Sequence, residues 1–103
     1  MGEDSEVEQK ASRAPSRELL LAQHRFPGEY VLKAFGPAEE AFRFGVRSAL
    51  DGISGKPRYE WRERSGTRGR RICITVTSNA ERVEQVEESY EALHDVPGLL
   101  FIL

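Results

Sequence analysis

Residues 70–103 are RRICITVTSNAERVEQVEESYEALHDVPGLLFIL, and their pattern predicts a strand, a helix and a second strand in succession. Apolar side chains alternate with smaller or polar ones from residue 72 to residue 77, and a period of two predicts a strand with one buried face. Pro97 and Gly98 predict a turn near the end of the stretch. The apolar run 99–103 that follows is uninterrupted and short, which favours a second strand.

An amphipathic helix is predicted between these two strands. Ser78 stands three residues before Glu81, the spacing of a capping box, so we expect the helix to begin near Asn79. Its apolar residues recur at helical spacing and form one stripe, which consists of Val83, Val86, Tyr90 and Leu93. We expect this stripe to pack on the sheet.

The first half of the chain repeats the pattern of a strand followed by a helix. In the predicted strand 29–35, Lys33 sets the phase because an unpaired ammonium group is costly to bury. Three residues then face the core, namely Tyr30, Leu32 and Ala34. Three others face outward, namely Val31, Lys33 and Phe35.

A second helix is predicted from Gly36 and Pro37, because a proline in the first turn loses no hydrogen bond. Its buried stripe consists of Phe42, Val46, Ala49 or Leu50, and Ile53. Residues 58–64 alternate again and predict a strand, with Tyr59 and Trp61 on one side and mostly basic residues on the other. Residues 65–69 predict a hairpin loop that leads into the strand after Arg70.

The predicted order of elements is strand, helix, strand, strand, helix, strand. This order is typical of an α+β protein with the ferredoxin-like split βαβ plait (βαββαβ), a four-stranded antiparallel sheet with two helices on one face. Right-handed crossovers place the first and third strands in the centre of the sheet and the second and fourth at its edges.

Length and composition predict one domain, with 103 residues and a net charge of -2. Residues 1–16 are polar and lack periodicity, so we expect a disordered N-terminal tail before a single domain at 17–103. Within that domain, residues 17–24 predict a short helix. The N-terminal sequence does not resemble a signal peptide and no apolar run is long enough to span a membrane, so we expect a cytoplasmic protein.

Charge is segregated along the chain. Residues 56–71 contain seven basic and two acidic side chains, whereas residues 79–95 contain one basic and six acidic side chains. The two segments therefore carry opposite net charges of the same size, and we expect a basic hairpin and an acidic helix on one small domain.

The residues resemble the YbeD-like family of small, functionally uncharacterised bacterial proteins. The residues that carry the resemblance, over 25–103, are Phe26-Pro27, Lys33, Gly36, Gly69, Thr75, Thr77, Asn79-Ala80, Val83-Glu84-Gln85-Val86-Glu87, Tyr90-Glu91 and Leu93. The resemblance implies an ACT-like plait, a regulatory rather than catalytic role, and a suggested link to lipoate metabolism. It carries no catalytic residues across. The chain departs from the family pattern where Arg70 and Arg71 enter the third strand.

Catalytic and metal sites are not predicted. His24 and His94 lie in separate segments without further ligands at metal-binding spacing, and Cys73 has no activating partner in a motif. Acylphosphatases share the topology but need a glycine-rich anion loop with an arginine after the first strand, whereas residues 36–40 are acidic. We therefore expect no enzymatic activity and no cofactor. The glycines of loop 65–69 either present amides to an anion or only supply positive φ angles.

The outer face of the predicted sheet contains the remaining candidates. Its candidate ligand-binding residues are Lys33, Arg62, Arg64, Arg71, Thr75 and Thr77. Its candidate interface residues are Val31, Phe35, Leu100 and Ile102. In the alternative interpretation, residues 17–24 cover the apolar half, and the arginines are solvated or paired with Glu60 and Glu63.

The hypothesis that follows is a non-enzymatic regulatory or adaptor module. It acts through its sheet face, either as a homodimer or by binding a small anionic ligand or a protein partner. We expect no membrane association. The alternative is an RNA-binding plait domain that uses the basic hairpin at residues 56–71. RNA-recognition domains stack bases on aromatic residues of the first and third strands, and here the third strand offers Cys73, Thr75 and Thr77, so nucleic-acid binding is not favoured.

Overall fold

The computed structural model describes residues 14–66 and 68–103. Within them the chain is an α+β protein with a four-stranded antiparallel sheet and three helices. The helices are α1 (Arg17–Gln23), α2 (Glu40–Asp51) and α3 (Val83–His94). The strands are β1 (Gly28–Pro37), β2 (Tyr59–Ser65), β3 (Arg71–Ala80) and β4 (Phe101–Ile102). None of the described helices is long and apolar enough to cross a membrane. Of the tail predicted to be disordered, residues 1–16, the first thirteen lie outside the described residues. The last three are described: Ala14 packs against the core, and the Ser16 hydroxyl caps α1 by accepting from the Leu19 amide at 3.2 Å.

The strand order in the sheet is β2-β3-β1-β4, and each neighbouring pair is antiparallel. The first and third strands therefore occupy the centre, as the sequence predicts. β1 pairs with β3 over its full length, from Gly28 opposite Ala80 to Pro37 opposite Arg71. This long central pairing holds the two strands whose outward side chains form most of the outer face.

One hydrophobic core lies between the inner face of the sheet and the helices. The predicted phase of β1 is confirmed, since Tyr30, Leu32 and Ala34 are all buried. The predicted stripe of α3 is confirmed too, and its buried members are Val83, Val86, Tyr90 and Leu93. In α2 the alternative between Ala49 and Leu50 resolves in favour of Leu50, which is 5% exposed.

Two tyrosines satisfy each other's hydroxyl groups inside this core. The Tyr30 and Tyr90 oxygens lie 3.0 Å apart, and their rings meet edge to face with centroids 6.3 Å apart. Burial and this hydrogen bond raise the pKa of Tyr90 well above its ordinary value. The Tyr90 hydroxyl therefore stays protonated at neutral pH, and its pairing with Tyr30 removes the cost of burying either hydroxyl without a partner.

The beginning of α3 differs from the prediction. Ser78 does not cap a helix, because it pairs with Tyr30 and Tyr59 inside the sheet and β3 continues to Ala80. The helix begins at Val83, where the Gln85 carboxamide oxygen accepts hydrogen bonds from the amides of Glu81 and Arg82 at 2.7 and 3.4 Å. The pairing of Ser78 with two neighbouring strands therefore overrides the local capping signal.

The beginning of α2 was also predicted too early. Pro37 is the last residue of β1, where it lies opposite Arg71, and α2 begins three residues later at Glu40. The ladder continues beyond the proline, since the Ala38 amide donates to the Arg70 carbonyl at 2.9 Å. A proline at the end of a strand loses no ladder bond, so the strand extends beyond the expected stop at Phe35.

Helix α1 packs on the helical side of the sheet, against α3. Leu20 is 2% exposed and belongs to the core, and the His24 ring lies 4.6 Å from the Tyr30 ring. Arg17 binds the Glu87 carboxylate through two nitrogens, at 3.0 and 2.6 Å. The alternative in which residues 17–24 cover the apolar half of the outer face is therefore wrong.

Candidate binding face of the sheet

The outer face is organised in rows of side chains that cross the sheet, because paired residues of neighbouring strands point to the same side. In the central row, Thr75 lies between Arg62 on β2 and Lys33 on β1. The Lys33 amide donates to the Leu103 carbonyl at 3.0 Å, and the Leu103 amide donates to the Lys33 carbonyl at 2.9 Å. Leu103 is therefore the fourth residue of this row. Three predicted ligand-binding residues are thus adjacent.

The remaining predicted ligand-binding residues lie in neighbouring rows. Arg64 lies opposite Cys73, one row closer to the hairpin between β2 and β3. Thr77 lies one row farther from the hairpin, opposite Glu60 and Val31. Arg71 lies at the hairpin end of β3, opposite Pro37. The structure therefore brings the set onto one face, but Thr77 and Arg71 stand at opposite ends of it.

A stacked aromatic pair lies in the same row as Arg64. The Phe35 and Phe101 rings are 4.4 Å apart at their centroids and 14° from parallel. Val31 on β1 is 50% exposed, Phe101 is 48% exposed and Leu103 is 68% exposed. We call Val31, Phe35, Phe101 and Leu103 the apolar patch. In the described part of the chain no element packs over this patch, which is the kind of surface that marks an interaction site.

The predicted phase of the last strand was wrong. Ile102 lies opposite Ala34, whose side chain is buried, and it packs against the core. Phe101 takes the outward position opposite Phe35. Leu100 is 51% exposed, and its amide bonds to the Phe35 carbonyl at 2.8 Å. The apolar patch therefore keeps Val31 and Phe35 of the predicted interface set, and Phe101 and Leu103 take the places of Leu100 and Ile102. An uninterrupted apolar run contains no polar residue that marks which side chains point outward.

The arginines of the outer face have no acidic partner among the described residues. Arg62, Arg64 and Arg71 are exposed, and no carboxylate of the described chain lies within 4.0 Å of any of them. The expected pairing with Glu63 is wrong, because Glu63 points to the opposite face and binds Arg43 of α2 at 3.0 Å. Their positive charge is therefore not neutralised within the described chain.

The seam between α2 and β2 contains a polar cluster that sequence reasoning missed. The Trp61 indole N–H donates to Glu63 at 2.9 Å, and the Arg47 guanidinium lies 4.2 Å above the Trp61 ring. The indole hydrogen bond and Arg43 together lower the pKa of Glu63. The inward position of Trp61 could be predicted from the alternation in its strand. Its contact with Arg47 could not, because that residue lies more than ten positions away in the chain. This cluster fastens the edge strand β2 to α2.

Three arginines at the β2–β3 hairpin line a pocket. The pocket holds about 340 Å³ and is lined by Gly66, Arg68, Arg70 and Arg71. Gly69 has a φ of 70°, and its amide donates to the Gly66 carbonyl at 3.0 Å, while the Gly66 amide donates to the Arg71 carbonyl at 2.8 Å. These two amides close the turn, so they are not available as an anion nest.

The opposite charge lies on the other side of the molecule. A groove of about 670 Å³ between α2 and α3 is lined by five carboxylates, namely those of Glu84, Glu87, Glu88, Glu91 and Asp95. Glu88 accepts from the Ser54 amide and hydroxyl at 2.8 and 2.9 Å, and Glu87 binds Arg17. The charge segregation seen along the chain therefore becomes a separation between two surfaces.

A comparison with protein families matches residues 22–103 to the family described as protein of unknown function (DUF493). The chain belongs to the DUF493 family. YbeD-like proteins are members of it, so the resemblance stated from the residues is confirmed. No curated protein matches the chain. The matched residues include all four strands and the whole outer face, whereas most of α1 precedes them.

In this DUF493 member the residues most often used for catalysis have structural contacts. The His94 Nδ1 atom lies 2.7 Å from the Tyr90 carbonyl, and the His24 ring contacts the Tyr30 ring at a tilt of 54°. The Cys73 sulfur lies 3.9 Å from the Thr75 hydroxyl. Within the described residues no three histidine, cysteine, aspartate or glutamate side chains form a group that could hold a metal ion.

Proposed function

We propose that this protein is a non-enzymatic, cytoplasmic regulatory or adaptor module that acts through the outer face of its sheet. We also infer that its fold is a ferredoxin-like, ACT-like plait, preceded by α1. The strand order β2-β3-β1-β4 supports this, since the plait places its first and third strands in the centre. In such a fold the helices cover one face and leave the other for binding.

The apolar patch is the observation that carries this proposal. Its stacked Phe35 and Phe101 rings stand beside the row that contains Lys33, Thr75 and Arg62. Protein interfaces combine an aromatic, desolvated centre with a polar rim rich in arginine. The outer face has both features in adjacent rows. Association with a second copy of the chain, or with another protein, is therefore the function that this surface supports best.

The test compares two phenylalanines that are both exposed. Phe101→Asp places a charge in the apolar patch, whereas Phe44→Asp places it on α2, where Phe44 is 72% exposed. Sedimentation velocity of the full chain measures self-association, and a pull-down with tagged wild type and both variants measures partner binding. We expect Phe101→Asp to weaken association by about tenfold or more, and Phe44→Asp to leave it unchanged.

Since Phe101 lies on a short edge strand, Val31→Lys provides a second variant, on the central strand β1. Circular dichroism melts would show that both patch variants remain folded. A wild type that stays monomeric and retains no partner whose capture depends on the apolar patch would contradict the proposal.

RNA binding is the second candidate, and the uncompensated arginines at the hairpin favour it. The aromatic platform is incomplete, because β3 presents Cys73, Thr75 and Thr77, and Phe35 is already stacked on Phe101. Filter binding to random-sequence RNA tests this candidate at about 0.15 M salt. At that salt concentration, screening limits the distance over which exposed charges interact to about 8 Å. Sub-micromolar retention that falls steeply with added salt would favour RNA over protein association.

A further inference from the structure

We infer that the pocket at the β2–β3 hairpin binds the phosphate group of a small phosphorylated molecule. The pocket is distinct from the apolar patch and is lined by Gly66, Arg68, Arg70 and Arg71. All three arginine side chains are exposed, and no carboxylate lines the pocket. It is therefore a concave surface that carries three positive charges and is open to a ligand.

The pocket arginines have no internal counter-ion among the described residues, a property that they share with Arg62 and Arg64 of the outer face. Arg17, Arg43 and Arg82 each lie within 4.0 Å of a glutamate oxygen. No described carboxylate comes that close to the pocket arginines, and Glu63, the acidic residue of β2 closest in sequence to the hairpin, binds Arg43 on the opposite face. Like charges held together repel one another, and a bound anion relieves that repulsion.

The backbone holds two of these arginines in place at the end of the sheet. The Arg70 carbonyl accepts from the Ala38 amide at 2.9 Å, and the Arg71 carbonyl accepts from the Gly66 amide at 2.8 Å. Arg71 also lies opposite Pro37 in the β1–β3 ladder. The positions of the Cα atoms are therefore set by the ladder, while the guanidinium groups can adjust to a ligand.

The chemistry of the pocket favours phosphate over a simple carboxylate. A guanidinium presents a planar fork of N–H donors that matches two phosphate oxygens at once. Three such groups fit a ligand with two or more negative charges, such as a phosphate monoester or a pyrophosphate group, better than a single carboxylate. A volume of about 340 Å³ is within the range of small-molecule pockets.

Calorimetric titration of the full chain with inorganic pyrophosphate at about 0.15 M salt tests the inference. The pocket variant replaces Arg68, Arg70 and Arg71 with Gln. The matched control also removes three positive charges, through Arg25→Gln, Lys56→Gln and Arg58→Gln, at exposed positions that do not line the pocket. We expect saturable binding by the wild type, a loss of about tenfold or more in the pocket variant and about threefold or less in the control.

Nuclear magnetic resonance of the wild type gives an independent readout, since pyrophosphate should shift the amide signals of Gly66, Gly69 and Arg70. Acetate should bind about tenfold more weakly or not at all. The inference is overturned by a lack of saturable binding up to about 10 mM, by equal losses in both triple variants, or by tight RNA binding without pyrophosphate binding.

The inference extends the proposed regulatory role but does not depend on protein association. The Phe101→Asp variant should still bind pyrophosphate, because Phe101 does not line the pocket. If association proves absent while pyrophosphate binds, only the apolar-patch proposal fails. If pyrophosphate does not bind while Phe101→Asp disrupts association, only the present inference fails.

Discussion

The Phe42 ring of α2 packs directly against the backbone of Gly36 in β1. A Cβ atom built on Gly36 would lie 2.5 Å from both Cε1 and Cε2 of Phe42. Gly36 is buried and lies opposite Ile72, and Phe42 is 1% exposed. The absence of a side chain at position 36 therefore lets the first turn of α2 approach the centre of the sheet, on the side opposite the binding face.

Gly36→Ala should destabilise the protein because the new methyl group overlaps a ring that cannot move out of a packed core. We expect a loss of about 1–3 kcal/mol in the free energy of unfolding, measured by urea denaturation. Gly52→Ala is the control, since its Cβ would meet only atoms at 3.6 Å or farther and its φ is -91°. Equal losses for the two variants would contradict the close approach of Phe42.

The docking of α1 depends on Leu20, which is 2% exposed, whereas Leu21 is 55% exposed. Leu20→Ala should lower the free energy of unfolding by about 2–4 kcal/mol, because it removes buried surface and leaves a cavity. Leu21→Ala should change it by less than about 0.5 kcal/mol. The free energy of unfolding is measured by denaturant melts, and hydrogen exchange of the α1 amides reports on the helix itself. Similar losses in the two variants would show that α1 does not dock as described.

The same substitution at two valines compares how much the core and the binding face contribute to the free energy of unfolding. Val86, on the buried face of α3, is 3% exposed, and Val31 in the apolar patch is 50% exposed. Val86→Ala should cost about 1–3 kcal/mol, since it removes buried methyl groups. Val31→Ala should cost less than about 1 kcal/mol, chiefly from lower strand propensity. If chemical denaturation ranked the two in the opposite order, the assignment of inner and outer faces would be wrong.

Acidification should be visible in the fluorescence of Trp61, the only tryptophan of the chain. The Trp61 N–H and Arg43 stabilise the ionised carboxylate, so the pKa of Glu63 lies below its ordinary value of 4.5. The stability that Glu63 contributes is present above that value and is lost as the pH falls through the lowered folded-state pKa. We expect the Trp61 emission to change only in that acidic range.

Glu63→Gln should abolish this acidic transition, because the amide at position 63 no longer titrates. Glu60→Gln should retain it, since Glu60 lies on the outer face opposite Thr77. Far-UV circular dichroism over the same pH range separates the local change from unfolding. Persistence of the wild-type transition in Glu63→Gln would assign it to another group.

Parts of the binding face could be predicted from the sequence alone where a polar residue marks the phase. Lys33 fixed which β1 side chains point outward, and the structure agrees, with Tyr30, Leu32 and Ala34 buried. Residues 99–103 contain no polar side chain that could mark the phase in this way, because all five side chains are apolar. Their phase follows from the pairing of Phe101 with Phe35, a contact between residues that are far apart in the chain.

The alternation of strands and helices and their buried stripes are encoded locally, because they follow from the spacing of apolar side chains, and the basic and acidic segments are read directly from the residue types. Contacts between distant parts of the chain place Ser78 in the sheet, pack α1 on α3 and pair Glu63 with Arg43. Each of these outcomes is a competition between a local preference and a partner from elsewhere in the chain. Burial of more apolar surface, or the satisfaction of a charge, determines which of the two prevails.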